Sequence, residues 1–341
     1  MTTIRDVARL AGVSIATVSH VINETRYVSD ELVCRVNKAM EELDYSPNLL
    51  ASSLRGGETK TIGLIIPDIS NQFFAEISRK IEDNGLAHGY SLIICNTDDD
   101  PEKEKQYIDV LLSKQVDGFI FISAGDEADS LMKPISKGIP IVVADRYIEN
   151  PNVNTVIVDN FDGGYQATKH LIDLGHKRIG FISGSSTVSP SSDRLEGYKK
   201  ALIDSNLSVD PSIVVHGDYR YQGGVDAMQK LLSATPDLTA VFSCNDMMAL
   251  GAIRTVYNFS LKIPEDISII GFDDIPLAKS SYPALTTMAQ PTEEMASHII
   301  RLFVDMIDFF GSKKRSKKGD FCYQKVVLKT RLIERDSCKK L

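Results

Sequence analysis

Between Thr61 and Ala289 the chain alternates short, almost wholly apolar runs with segments carrying one apolar stripe at helical spacing. The first runs are 61–67, Ser91-Leu92-Ile93-Ile94-Cys95, Gly118–Ile122, Ile141–Ala144 and 155–158. Helices are expected over about 71–88 and over Pro101–Ser113. Strands with no polar face are buried on both sides, and strand–helix alternation places them in parallel sheets. The pattern then starts again with 178–182, 213–215, 240–242 and 267–271. An α/β chain with two successive doubly wound parallel-sheet subdomains is therefore expected. Ligands of such sheets bind at the carboxyl ends of the strands.

The first 45 residues read differently, as an all-α headpiece. Thr3 with Asp6 three residues later resembles a capping box, so a helix should start near Ile4. Val7, Ala8 and Ala11 share one face, and Gly12 can end that helix with positive φ. Ser14 can cap a second helix whose Val18, Val21 and Ile22 point inward. Its outer face carries Ile15, Ala16, Thr17, Ser19, His20 and Asn23, with Arg26 following. Such a face, small, apolar or hydrogen-bonding and free of acids, suits the major groove of double-stranded DNA. Ile15, Ala16 and His20 are expected at base edges, and Thr17, Ser19 and Asn23 at phosphates. A third helix over 29–44 buries Leu32, Val33, Val36, Met40 and Leu43.

Composition bounds the alternatives. At 341 residues, 43% hydrophobic and 25% charged, the chain has the size of two or three globular domains. No apolar run approaches the ~18 residues of a membrane span, and the N-terminus does not read as a secretory signal. A cytoplasmic protein without a membrane partner is expected. The five cysteines, Cys34, Cys95, Cys244, Cys322 and Cys338, are scattered with no C-x-x-C spacing. Reduced thiols follow, with Cys95 and Cys244 read as small buried hydrophobes. His88, His170, His176, His216 and His298 have no ligand spacing, so no metal and no cofactor is expected. No G-x-S-x-G elbow, phosphate loop or H-E-x-x-H motif supports an enzyme. Asp98-Asp99-Asp100 before Pro101 reads as an acidic helix start. The basic run Lys313-Lys314-Arg315-Ser316-Lys317-Lys318 reads as a solvated loop.

Val18-Ser19-His20-Val21-Ile22-Asn23, Tyr45-Ser46-Pro47-Asn48 and Ala51-Ser52-Ser53-Leu54-Arg55 resemble the headpiece of the lactose-repressor/galactose-repressor family of bacterial regulators, close to its purine- and ribose-repressor branch. The resemblance runs on to Arg331-Leu332-Ile333-Glu334-Arg335. It implies a homodimeric repressor whose core resembles type-I periplasmic sugar-binding proteins. The implied domains are a helix-turn-helix headpiece (1–46), a hinge helix and linker (47–59), an N-terminal core subdomain (60–160 and 291–320) and a C-terminal one (161–290 and 321–341). Crossings between the subdomains are expected near 159–162, at Gln290 and near 319–323. In the family, a short hinge helix orders on DNA and leucines from two subunits enter the minor groove. Leu54 and Arg55 match that segment, which is too short to be helical alone in water. Leu49, Leu50 and Leu54 could instead pack on the core.

The resemblance also implies an effector set: Asn71, Phe73, Phe74, Asp145, Arg146, Arg194, Asn245, Asp273 and Gln290, to which Tyr219 after Gly217-Asp218 can add a ring on the cleft wall. Aromatic rings suit the C–H faces of a sugar, and paired donors and acceptors suit vicinal hydroxyls. Plainer readings stand beside these. Phe73 and Phe74 could be core residues, Asn245 and Asp273 strand-end caps, Asp145-Arg146 a local ion pair and Tyr219 a surface ring. The expectation is a repressor of carbohydrate-utilisation genes, released from a palindromic operator by a ribose-like monosaccharide. The alternative is a catabolite-control-type regulator set by a protein or sugar-phosphate corepressor.

Residues 1–60 hold seven Lys/Arg and eight Asp/Glu, an unusually acidic balance for a DNA-reading module. Operator affinity titrated against NaCl should accordingly give a log–log slope shallower than about −5, below the ~6–10 phosphate neutralisations of a strongly basic protein. A slope near −10 would contradict this charge argument.

Overall fold

The structure, a computed structural model, describes residues 2–23, 26–45, 59–122, 129–148, 150, 152–184, 189–311 and 321–341. The chain divides into two compact units, 1–59 and 60–341.

The first unit contains α1 (Ile4–Ala11), α2 (Ile15–Asn23) and α3 (Asp30–Glu42). The Asp6 carboxylate accepts from the Thr3 N–H at 3.0 Å and from Thr3 Oγ1 at 2.7 Å, so the capping signal fixes the start of α1. Gly12 ends it at φ 65, in the left-handed region. Ser14 Oγ accepts from the Thr17 N–H at 3.0 Å and starts α2. Val7, Ala8, Ala11, Val18, Val36 and Ala39 form the core, with Val21, Ile22, Met40 and Leu43 packed around it. Arg35 Nη2 donates to the Ala11 carbonyl at 2.6 Å, tying α3 to the turn.

The second unit holds two six-stranded sheets. The first contains β1 (Thr61–Ile66), β2 (Ser91–Asn96), β3 (Gly118–Ile122), β4 (Ile141–Ala144), β5 (Asn154–Val158) and β11 (Lys325–Leu328), in the order β11-β5-β4-β3-β1-β2. All its pairings are parallel. The second contains β6 (Ile179–Ser183), β7 (Val214–His216), β8 (Ala240–Ser243), β9 (Ser268–Asp273), β10 (Thr286–Ala289) and β12 (Arg331–Ile333), in the order β12-β10-β9-β8-β6-β7. Here β12 runs antiparallel to β10, a mixed edge on an otherwise parallel sheet. The helices used below are α4 (Gln72–Ala87), α5 (Pro101–Ser113), α6 (Asp129–Ser136), α7 (Asn160–Asp173), α8 (Ser189–Asp204), α9 (Tyr221–Ala234), α10 (Asp246–Asn258), α11 (Pro276–Ser280) and α12 (Thr292–Gly311). Strands β3, β4 and β8 are buried along their whole length, as their unbroken apolar runs require.

The chain crosses between sheets three times. The first two crossings fall at Asp159 and Gln290, where they were expected. The third does not lie at 319–323. Lys325–Leu328 pairs in parallel with 155–158, so this strand closes the first sheet, and the chain crosses at Lys329–Thr330. The register explains the shift. Leu328 is buried opposite Val158, while Arg331 is already paired with Ala289 in the second sheet. The run Lys313–Lys318 and the linker carrying Leu54 and Arg55 lie outside the described residues.

In the second subdomain, α7 and α8 cross with their backbones nearly touching. A Cβ on Gly164 would come within 2.3 Å of the Arg194 carbonyl oxygen, and one on Gly197 within 2.2 Å of the Phe161 carbonyl oxygen. Only glycine fits, because the obstacle is backbone rather than a movable side chain. Gly164→Ala should destabilise the core by about 1–3 kcal/mol in urea unfolding, as overpacking does. Unchanged stability would show that α8 can move away freely.

Candidate functional site

The carboxyl ends of both sheets open onto one cleft. All ten residues of the expected effector set line it. The first subdomain contributes Asn71, Phe73 and Phe74 from the start of α4, and Asp145-Arg146 from the end of β4. The second contributes Arg194 from α8, Tyr219 before α9, Asn245 after β8, Asp273 at the end of β9 and Gln290 after β10.

Arg194 forms the floor and is only 3% exposed. Its Nε donates to Asn160 Oδ1 at 2.9 Å and its Nη1 to the Cys244 carbonyl at 2.5 Å. Nη1 also stands 3.8 Å from Asp273 Oδ1, and the guanidinium lies 3.6 Å from the centre of the Phe272 ring. A planar cation held on its edge and face cannot swing, so it presents a fixed geometry. Asp273 Oδ1 accepts from Gln290 Nε2 at 2.8 Å. Asp145 Oδ1 and Gln290 Oε1 are buried, with no hydrogen-bond partner among the described residues. Buried acceptors of this kind are uncommon, and a bound donor would satisfy them.

Several residues carry a second task. Asn71 Oδ1 caps α4 by accepting from the Phe73 N–H at 3.1 Å. Asn245 caps α10, with Oδ1 accepting from the Met248 N–H at 3.0 Å, and its Nδ2 donates to the Tyr219 carbonyl at 2.9 Å. Asn245 therefore reaches the cavity partly by holding Tyr219. Phe73 belongs to the buried core as well as to the wall, and Phe74 packs against it edge-on at 5.2 Å. Tyr219 is no surface ring. Its phenol lies over Gly184, where a Cβ would meet ring carbon Cζ at 2.1 Å.

Asp145, Tyr219 and Asp273 have φ of 68°, 65° and 117°. Left-handed backbone at non-glycine residues is costly and collects where the surroundings hold a side chain in a working position.

Six lining residues were not anticipated: Pro67, Asp68, Asp99, Pro190, Asp218 and Arg220. Asp68, Asp99 and Asp218 also follow strands, which was the available signal. In the acidic triplet, Asp100 alone caps α5, accepting from the N–H groups of Glu102 and Lys103. Asp99 is thereby free to lie 3.5 Å from Arg146 Nη2. Asp99 therefore adds a carboxylate beside Arg146 in the cleft.

On the headpiece, Ile15 and Ala16 are exposed, as are Ser14, Asn23 and Arg26, while Thr17, Ser19 and His20 are half-buried. Asn23 Nδ2 donates to the Ser19 carbonyl at 2.8 Å. Among the described residues no helix is long and apolar enough to cross a membrane, and no acid, His and Cys cluster could hold a metal.

A helix-turn-helix unit joined to a two-subdomain core with a polar cleft defines a ligand-responsive DNA-binding regulator. Residues 3–48 match the bacterial regulatory proteins of the lacI family, and residues 59–320 match the periplasmic binding proteins and sugar-binding domain of the LacI family. The chain belongs to the LacI family and is a DNA-binding transcriptional repressor that takes a small-molecule effector, not an enzyme. It is 40% identical to the HTH-type transcriptional repressor PurR of Haemophilus influenzae over 344 residues, covering 100% of both chains. The lac repressor dimer bound to operator and the anti-inducer ONPF matches with a TM-score of 0.85 and 28% identity, over 99% of each chain. A LacI-family regulator from Enterococcus faecium with bound ribose matches with a TM-score of 0.73 and 32% identity, over 82% of this chain and 99% of that one.

Burial raises the Asp273 carboxyl to about 7 against the pull of Arg194, with Asp145 adding repulsion. Native Asp273 therefore keeps a proton that the unfolded chain loses near pH 4. Between about pH 4 and 7 this group makes the fold less stable as pH rises, by ~1.4 kcal/mol per unit at most. Burial lowers His170 and His176, which act with the opposite sign below their ordinary range. The difference between the parent and Asp273→Asn isolates the effect. Relative to the variant, the parent should lose melting temperature from pH 5 to pH 7.5, and parallel curves would refute it.

Proposed function

We propose that this repressor is released from a palindromic operator by a neutral monosaccharide, ribose or a related pentose or small hexose, and controls carbohydrate-utilisation genes. The observation carrying this reading is the density of polar groups in one cleft. Asp145, Arg146, Arg194, Asp273 and Gln290 surround it, with Phe74 and Tyr219 alongside. A polyol offers a hydroxyl to each such donor or acceptor, and charge-assisted bonds are the strong ones. A flat heteroaromatic base would leave more of these groups unpaired at a cost. The relative with bound ribose supports the same class.

The ten cleft residues serve as effector contacts. On the headpiece, Ser14, Thr17, Ser19, Asn23 and Arg26 hold phosphates, and Ile15, Ala16 and His20 meet base edges. Leu54 and Arg55 act in the hinge (47–59), between the headpiece (1–46) and a core whose first subdomain also takes in Lys325–Leu328. The protein works as a cytoplasmic homodimer, so that two headpieces read inverted half-sites. Exposed Leu86 and Ile94 beside the edge strand β2, with Tyr257, Phe259 and Tyr282 on the second subdomain, offer the apolar surface a dimer buries. Tyr282 is 90% exposed in the single chain.

Operator selected from random duplexes, labelled and bound by the repressor, tests this. D-ribose, other pentoses, hexoses, sugar acids and purine bases are titrated in turn. A neutral sugar should release the DNA. Arg146→Ala should raise the half-releasing concentration at least about tenfold, since a lost charged hydrogen bond costs about 1.5–3 kcal/mol, while operator affinity without sugar stays unchanged. Tightening on a purine base, or release only by a sugar phosphate, would overturn the assignment.

A further inference from the structure

The turn Gly217-Asp218-Tyr219-Arg220 does two things at once. Asp218 Oδ1 accepts from the Arg220 N–H at 2.8 Å, and the carboxylate presses on the α-carbon of Gly223, where a Cβ would meet Oδ1 at 2.0 Å. With Tyr219 at φ 65°, adjacent side chains leave the turn in different directions. Tyr219 turns onto Gly184 and the cavity wall. Arg220 spans the mouth, and its Nε lies 3.1 Å from Asp68 Oδ2 in the other subdomain.

Asp68 is built to receive it. It is 16% exposed at its side chain, and its other oxygen accepts from the Ser70 N–H at 2.9 Å and from Ser70 Oγ at 2.5 Å. A carboxylate already fixed loses little freedom on pairing, which lowers the ordering cost on one side of the pair, while the Arg220 side chain is 57% exposed and open to screening by salt. Asp99 and Asp218 also lie near Arg220 and favour its charged form. Apart from this pair, Gln72 links the subdomains by accepting from the Leu277 N–H at 3.2 Å.

We infer that Asp68 and Arg220 form a latch across the cleft mouth, and that Arg220 sets how strongly the effector keeps the two subdomains together. This rests on reading the cleft as the effector site. Because Tyr219 and Arg220 share one turn, a ligand that seats the ring also seats the latch. The coupling makes effector affinity sensitive to salt even for an uncharged ligand. A neutral sugar in a cleft without such a bridge would bind almost independently of ionic strength.

The test measures closure in the full chain without any effector. Exposed Cys34 and Cys322 are changed to Ser, and dyes for energy transfer are placed through Glu102→Cys on α5 and Lys230→Cys on α9, both exposed. Asp68→Asn and Arg220→Gln should each lower the ratio of closed to open molecules about two- to fivefold. The double variant should fall no further than either single one. About 0.5 M NaCl should lower closure in the parent and leave the variants unmoved. D-ribose serves as the ligand probe, and its dissociation constant should rise by the same factor in each variant. Unchanged closure in the single variants, or additive losses in the double one, would overturn the latch. Failure of D-ribose to bind the parent would count against the sugar reading alone, because the effector-free populations still decide the latch.

Discussion

A guanidinium enclosed by protein organises the cleft. Charge at that depth is tolerated only where every edge of the ion finds a partner. Arg194 is held through its Nε and Nη1 and one face by Asn160, the Cys244 carbonyl, Asp273 and the ring of Phe272. Those partners come from α7, the end of β8 and the end of β9, so one side chain pins three elements to each other. The glycine contact between α7 and α8 sets how near its backbone can come. Asp273 in turn orients Gln290 at a crossing between the subdomains. The effector cavity and the hinge therefore share atoms, and a ligand that perturbs Asp273 acts directly on the joint.

Behind that floor lies a second buried acid. Asp246 accepts from Thr287 Oγ1 at 2.6 Å and from the Ile275 N–H at 2.9 Å, and burial with repulsion from Asp273 drives its carboxyl well upward. It joins α10, β10 and the turn after β9, the three segments that carry Asn245, Gln290 and Asp273. The positive-φ backbone at Asp273 is thus flanked by segments that cannot relax without releasing the buried Asp246 carboxyl.

The strands and their parallel pairing were legible because unbroken apolar runs such as Ile141–Ala144 admit one environment only. The start of α1 was legible because capping is local chemistry, readable within four residues. The cleft set was legible through resemblance, since nothing in periodicity brings Asn71 to Gln290. What escaped notice depends on partners distant in sequence. Asp68 and Arg220 lie 152 residues apart. Asp99 looked like one acid among three until Asp100 took the cap. Lys325–Leu328 carries too little apolar signal to name its sheet, and its placement follows from pairing with a strand some 170 residues earlier.

That late strand has a consequence for how the protein comes into being. The first sheet lacks its edge until Leu328 has been made, although its other five strands are complete by Val158. The second sheet waits for Ile333. A nascent chain on the ribosome therefore carries two unfinished sheets from Ile179 until Leu328 is made. Both close within the short stretch Lys325–Ile333, across a two-residue tether at Lys329–Thr330. The headpiece, whose core lies within its own first 45 residues, has no such wait. The DNA-reading part can fold while the sensing part is still being translated, and a chain cut short before residue 325 would retain the reader without a finished sensor.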